Sequence, residues 1–219
     1  MLNKSKGNMY PWVTHTWNII KGKCPHDCSY CYMKRFPQAD LRYDVKELKT
    51  DLGSGNIIFV GSSCDAWASG VSDVWIKSML LSCSQKPNNK YLFQSKNPTR
   101  FKDFATQFPP DFMLGCTIET NRDYSYISKA PATYYRKVAM QGYDLPKMVS
   151  IEPIMDFDLE HFPLWIEDIK PEFVSIGADS GNNHLPEPSP GKLKALIEAL
   201  KGITEVKVKD NLDRLLKGK

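Results

Sequence analysis

"KCPHDCSYCYMK", Lys23 to Lys34, places Cys24, Cys28 and Cys31 in one short loop, with gaps of three and then two residues. Cysteine is scarce, and three thiols this close, on a stretch that reads as neither strand nor helix, point to a shared ligand. A structural zinc site takes four ligands, with two-residue gaps inside each cysteine pair. His26 could be a fourth ligand, but it sits between two of the cysteines, where closing a tetrahedron is awkward. A cubane iron–sulfur cluster usually takes four cysteines. Three from one loop would hold three corners and leave the fourth iron open to a small molecule, much as a catalytic zinc keeps one open position.

The surrounding 219 residues bound what such a loop can belong to. They suffice for one large domain or two small ones. Hydrophobic residues make up 42% and charged residues 25%, the profile of an ordinary globular protein. No apolar run approaches the ~20 residues that cross a bilayer. The start, "MLNKSKGNMYPW", carries basic residues without an apolar segment behind them, so it does not read as a signal peptide. The expected location is cytoplasmic, where six cysteines serve better as metal ligands or buried thiols than as disulfides. A net charge of +4 permits an anionic substrate without arguing for one.

Outward from the loop, short runs rich in β-branched and aromatic residues alternate with helical patterns. Strand candidates are residues 13–20, 56–61, 90–95, 112–119, 147–153, 172–178 and 205–209. "VSDVWIKSMLLSCSQ" has helical spacing after a candidate cap at Ser72, and "PGKLKALIEALKG" starts on a proline and stops at Gly202. "LEHFPLWIEDIKP" is a shorter helix ended by Pro171. Such alternation means parallel strands with crossover helices, in an open doubly wound sheet or a barrel. Polar residues two apart favour the barrel: Gln94 and Lys96; Thr117, Glu119 and Asn121; Ser150 and Glu152; Ser175 and Asp179. Side chains two apart share a face. That face reads as a polar lumen, while Val149, Ile151, Val174 and Ile176 face the helices. Chemistry in α/β barrels gathers at the carboxyl ends of the strands, where these polar residues lie.

Cys24, Cys28 and Cys31 directly after a first strand, with Tyr30 just before the third, resemble the radical S-adenosylmethionine (radical SAM) family. The resemblance implies an α/β fold, a partial (β/α)6 TIM-like barrel, here with an extra C-terminal strand, in a single core domain over residues 1–219. It implies a [4Fe-4S] cluster on the three cysteines, with the fourth iron chelated by S-adenosylmethionine (SAM). Reductive cleavage of SAM would give a 5′-deoxyadenosyl radical that abstracts hydrogen from a substrate. A reductant such as flavodoxin or ferredoxin would be a partner. The family's glycine-rich stretch after the second strand corresponds to Gly61, Ser62, Ser63 and Asp65, with one glycine rather than two and a late acid. Glu119 and Asn121 would hold the ribose or carboxylate of SAM. The stretch holding Ile151 and Glu152 would meet adenine, and Tyr30 would cover the cluster. More narrowly, "FVGSSCDAW", "VSIEPI" and "VSIGADSG" resemble a group of radical SAM proteins found in bacteriophages and bacteria, distantly similar to spore photoproduct lyase.

The remaining features refine these expectations. Cys83 lies within a helical pattern and Cys116 has the opposite strand phase to Glu119, so both are expected as buried apolar groups. Cys64, on the loop at the barrel mouth, is the candidate hydrogen-atom donor to a product radical, a role the lyase resemblance implies. Lys96 is the expected partner of Glu152. The loop from Asp179, with His184 and three prolines, is a candidate lid. "TYYRKV", Thr133 to Val138, suits a helix surface or stacking on nucleic-acid bases. The chain leaves almost no room beyond the expected core, so the substrate is expected to be either small or a macromolecule covering the open barrel. A nucleotide or nucleic-acid base is the favoured class. A non-catalytic iron–sulfur or electron-transfer protein is the competing one.

Overall fold

The structure, a computed structural model, describes residues 1–218; Lys219, the last residue of the expected domain, lies outside them. The chain opens on β1 (Asn3–Lys4), which pairs antiparallel with β2 (His15–Trp17). After β2, β3 (Ile20–Lys21) and β4 (Arg42–Tyr43) form a separate ribbon. Six further strands follow: β5 (Ile57–Val60), β6 (Lys90–Ser95), β7 (Phe112–Thr117), β8 (Lys147–Ile151), β9 (Phe173–Ile176) and β10 (Glu205–Val208). From β2 through β10 the main sheet is parallel, in the order β1-β2-β5-β6-β7-β8-β9-β10. Apart from the β3–β4 ribbon, the strands of this sheet lie side by side in chain order. A doubly wound sheet reverses its order at a switch point; this one never does, so it curls in one sense into an α/β partial barrel. Among the described residues the two edge strands, β1 and β10, do not pair with each other.

Helices α1 (Asp73–Ser84), α2 (Thr133–Gln141), α3 (Phe162–Ile169) and α4 (Pro190–Lys201) lie between the strands, and α5 (Asp213–Lys217) follows them. The local signals for α4 act as expected: Ser189 accepts a hydrogen bond from the Lys192 amide, Pro190 opens the first turn, and Gly202 ends the helix. Helix α3 ends on Lys170 in the left-handed conformation, just before Pro171. Val149, Ile151, Val174 and Ile176 pack outward with Ile76, Phe162 and Leu193 of the helices in the main core.

The inner face differs from the simple expectation of a wet lumen. Its polar residues occupy only the carboxyl ends. Earlier on the same face stand Leu92, Met113, Met148 and Phe173, which form a second apolar cluster with Tyr10 and Val13. The segment before β2 enters the barrel and plugs it. Trp12 stacks on Tyr10 with centroids 5.5 Å apart and meets Phe173 edge-on. The Tyr10 hydroxyl bridges Gln94 Oε1 and Ser150 Oγ at 2.9 and 2.8 Å. Burying a large aliphatic or aromatic side chain is worth roughly 1.5–3 kcal/mol. Four of them facing a water-filled tube would forfeit that gain, which is why the plug is there. Above it the lumen opens as a cavity.

Candidate functional site

The cavity has a volume of about 510 Å3 and lies at the carboxyl ends of the strands. Cys24, Cys28, Cys31, Tyr30 and Tyr32 line one side, and the turn from Gly61 to Asp65 joins them. Lys96 and Thr117 lie on the strand side, with Glu152, Asp179 and Lys209 at the far end. A groove of about 760 Å3 lies between Gln141–Lys147 and Glu167–Glu172, beside the amino ends of β8 and β9. It is larger but contains no cysteine, so convergent chemistry and not volume locates the site.

The cysteine loop is held from both sides. Within it, the Asp27 amide donates to the Cys24 carbonyl at 3.1 Å and the Cys31 amide to the Cys28 carbonyl at 3.2 Å. The Ser29 and Lys129 amides tie it to the segment after β7, donating to Ile127 O at 2.8 Å and His26 O at 2.7 Å. Asp27 adopts a positive φ of 47°, sparsely populated for a non-glycine residue. Its carboxylate pairs with Lys34 at 2.7 Å and Lys129 at 2.9 Å, and these hydrogen bonds and charges hold it down at about 2. The three cysteines are thus carried on a braced loop.

A fourth thiol comes to this wall from the turn after β5. Gly61 makes the turn with φ of 82°, and a Cβ there would stand 3.2 Å from the Cys64 carbonyl. Asn18 anchors the turn by accepting from the Ser63 amide at 2.9 Å. Cys64 is buried beside Cys24. That neighbour, working against burial, pulls the Cys24 thiol down to about 6, while Cys24 and burial push the Cys64 thiol up. Burial also raises Cys31. Cys83 and Cys116 are fully buried in the main core, away from the cavity.

Asp65 is buried and committed. His26 Nε2 donates to it at 2.9 Å, Ser95 Oγ at 2.9 Å, the Lys96 amide at 2.8 Å and the Trp67 amide at 2.9 Å. Burial alone would raise its carboxyl, but His26 and these amides hold it below the usual range. It therefore links the cysteine loop, the β5 turn and the end of β6. His26, weighed above as a metal ligand, is its partner.

Glu119 is equally committed. Arg136 Nη1 donates to its Oε2 at 2.8 Å, the Tyr30 hydroxyl donates to its Oε1, and Lys96 Nζ stands 3.8 Å away. Both Glu119 and Arg136 are almost fully buried. Arg136 lies in the "TYYRKV" helix and points inward, while Tyr134 and Tyr135 stay exposed. Burial works against ionisation of Glu119, but Arg136, Lys96 and Tyr30 together hold its carboxyl below the ordinary value of 4.5. The stability it contributes is present above that ordinary value and is lost as pH falls through the lowered folded value. Denaturation midpoints of the metal-free chain should therefore fall on acidification below about pH 5. That acid-dependent part should be absent from Glu119→Gln; an unchanged pH profile would refute it.

Lys96 is the cation left over. Its Nζ lines the cavity 5.4 Å from the Tyr30 ring centroid, and among the described residues it makes no hydrogen bond to the protein. Its expected partner, Glu152, instead binds Lys209 at 2.7 Å and accepts from Asn8 Nδ2 at 2.7 Å and Asn211 Nδ2 at 3.2 Å. Lys209 also donates to the Asn8 carbonyl, so this cluster ties the N-terminal segment to the end of β10. Asn121 does not join the cavity wall: it donates to Asp158 O at 3.2 Å and accepts from Asp158 N at 2.8 Å. The Ile151 side chain faces the helices. In the candidate lid, Asp179 accepts from the Gly181 amide at 2.9 Å, and His184 is exposed.

The donor set fits an iron–sulfur cluster. Among the described residues, no three His, Cys, Asp or Glu side chains gather closely enough to hold a single metal ion. Cys24, Cys28 and Cys31 all line the cavity, and in a polynuclear iron–sulfur core each iron takes one protein sulfur. Sulfur is also the ligand type that selects such clusters.

No protein-family model matches the sequence, and a search of curated proteins finds no match. Solved structures do match in fold. A spore photoproduct lyase variant aligns with a TM-score of 0.65 at 10% identity, over 92% of this chain and 78% of that one. Another, with bound AdoMet and dinucleoside spore photoproduct, gives 0.55 at 9% identity, over 90% of this chain but only 64% of that one. HydG, a maturase of the [FeFe]-hydrogenase, gives 0.57 at 11% identity over 87% of this chain and 50% of that one. At these identities the likeness is one of fold: the α/β partial barrel of this chain resembles those of spore photoproduct lyase and HydG, and the chain spans less than two thirds of two of these three structures. Among the described residues no helix is long and apolar enough to cross a membrane.

Proposed function

We propose that this chain is a radical SAM enzyme. The observation that carries the reading is the cavity at the carboxyl ends of the barrel strands, walled on one side by Cys24, Cys28 and Cys31. These three would hold a [4Fe-4S] cluster. When bound, it would supply the electron that cleaves SAM to methionine and a 5′-deoxyadenosyl radical, which takes hydrogen from the substrate.

The chain's own residues divide the remaining work. Tyr30 and Tyr32 shield the cysteine side from solvent. Ser62 and Ser63 offer oxygen atoms on the Gly61 turn for the ammonium of SAM. Asp65 and Glu119, already saturated, position Lys96, Ser95 and Tyr30 more than they bind ligand. Lys96, beside Glu119 but without a hydrogen bond to the protein among the described residues, offers its ammonium to an anionic group such as a carboxylate. Glu152 and the strand end after Ile151 bound the far end, where a nucleoside would lie; Asn121 acts through the Asp158 backbone. Cys64 is the candidate hydrogen-atom donor. The dinucleoside in one structural neighbour supports a nucleotide or nucleic-acid base as substrate, as does the resemblance of the short motifs above to the bacteriophage and bacterial group. Flavodoxin or ferredoxin would deliver the electron.

Incubating the reduced, reconstituted protein with SAM tests the reading: 5′-deoxyadenosine should form, and its absence under conditions where the cluster is reduced would refute it. One observation favours a second reading, an electron-transfer protein. Cys64 stands beside Cys24 and could complete a four-thiolate site. Such a protein would carry the cluster without cleaving SAM. Within the enzyme reading, Lys96→Met should weaken SAM binding. Losing a hydrogen bond to a charged group costs ~1.5–3 kcal/mol, roughly 10- to 150-fold in affinity. Iron content should stay unchanged; equal SAM affinity in calorimetric titration would remove Lys96 from the site.

A further inference from the structure

The three-cysteine loop raises the question of what occupies the fourth iron before SAM arrives. The cavity supplies a candidate. Cys64 lines the same cavity as Cys24, Cys28 and Cys31. It is carried there by a turn with its own anchors, the positive φ of Gly61 and the Asn18–Ser63 hydrogen bond. Its side chain is 2% exposed and packs beside Cys24. Buried cysteines elsewhere in the chain behave otherwise: Cys83 and Cys116 lie within the main apolar core and do not line this cavity.

Resting on the cluster assignment above, we propose that Cys64 is the fourth ligand of the cluster in the SAM-free protein and yields its place when SAM binds. On binding iron the thiol gives up its proton, as coordinating thiols do. On displacement, the Cys64 thiolate would leave the iron with its electron pair and take up the proton that the SAM ammonium gives up, so that the freed nitrogen and a carboxylate oxygen of SAM would donate to the vacated iron. No electron is transferred in the exchange. The freed thiol is then available for the hydrogen-donor role. Such a ligand protects the open corner: a cubane held by three sulfurs loses its unprotected iron to mild oxidants, whereas one held by four resists.

The test compares wild type, Cys64→Ala and Cys83→Ala, all reconstituted anaerobically, loaded to about four iron per chain and freed of added thiols. Each is treated with a limited amount of ferricyanide, with and without saturating SAM. Conversion to the three-iron form is followed by electron paramagnetic resonance, and iron release by a chromogenic chelator. Without SAM, Cys64→Ala should convert several-fold faster than both wild type and Cys83→Ala. In wild type, SAM should shift the spectrum of the reduced cluster. Equal conversion of wild type and Cys64→Ala without SAM would overturn the proposal. So would a wild-type cluster whose spectrum SAM leaves untouched, because Cys64 would then be a permanent ligand. If the conversion difference appears but wild type makes no 5′-deoxyadenosine, the enzyme reading fails while the ligand assignment stands.

Discussion

Replacing Cys24, Cys28 and Cys31 together by alanine is expected to take bound iron from about four atoms per chain to none. Each thiolate holds one iron, and Cys64 alone cannot retain a cluster. The fold should survive the change. The main core is built from strand and helix side chains, and the inner cluster from Tyr10, Val13 and strand residues. The cysteine loop is braced mainly by backbone hydrogen bonds and by Asp27, which are independent of the thiols; one contact, Cys28 Sγ to Ser128 Oγ at 3.1 Å, would be lost. An iron assay and a far-ultraviolet circular dichroism spectrum on the same sample separate loss of cluster from loss of fold. A folded triple variant that keeps its iron would show the assignment to be wrong. A wild-type stoichiometry near eight would call for a second cluster on Cys64, Cys83 and Cys116. The structure gives that idea no support, since Cys83 is buried within α1 and Cys116 packs into the main core.

Much of this arrangement is legible along the chain, and the boundary of legibility has a physical cause. All seven parallel strands fall within the runs read from β-branched and aromatic residues, because that signal is local. The two-residue phase likewise separates Thr117, on the cavity wall, from Cys116, in the main core. The partners of the polar residues are another matter. Lys96 and Glu152 share a lumen, but Lys209, at the end of β10, reaches Glu152 first. Arg136 sits in a stretch of aromatic and basic residues that looks like helix surface, yet it turns inward to Glu119. Its signal was present as an arginine within an amphipathic helix whose buried face carries Met140, but only tertiary packing reveals which carboxylate it meets. The plug at Tyr10 was hidden because its apolar residues follow neither helical nor strand periodicity. Cys64 looked like a mouth residue; its place beside Cys24 depends on a turn geometry that one glycine permits.

Glu119→Ala is expected to destabilise the chain by ~3–5 kcal/mol, because it strands the Arg136 charge in a buried site. The two side chains are only 2% and 4% exposed, so water cannot replace the lost carboxylate. Lys96, 3.8 Å away, loses its nearest anion as well, and Tyr30 loses its acceptor. SAM affinity should fall with it, through the displaced Lys96 and Tyr30. Cys116→Ala, on the opposite face of the same strand, removes one buried sulfur and should cost about 0.5–3 kcal/mol while leaving SAM affinity nearly intact. Chemical denaturation gives the first comparison, and calorimetric titration of SAM into the reconstituted proteins gives the second. The mechanism behind the large effect can be isolated. Removing both charges in Glu119→Met/Arg136→Met should recover much of the stability lost in Glu119→Ala, since a buried ion pair replaced by apolar groups of similar volume is often tolerated. SAM binding should not recover with it, because Tyr30 and Lys96 remain without the carboxylate that orients them. If instead Cys116→Ala loses SAM while Glu119→Ala keeps both stability and affinity, β7 presents the wrong face to the cavity, and the site drawn here falls with it.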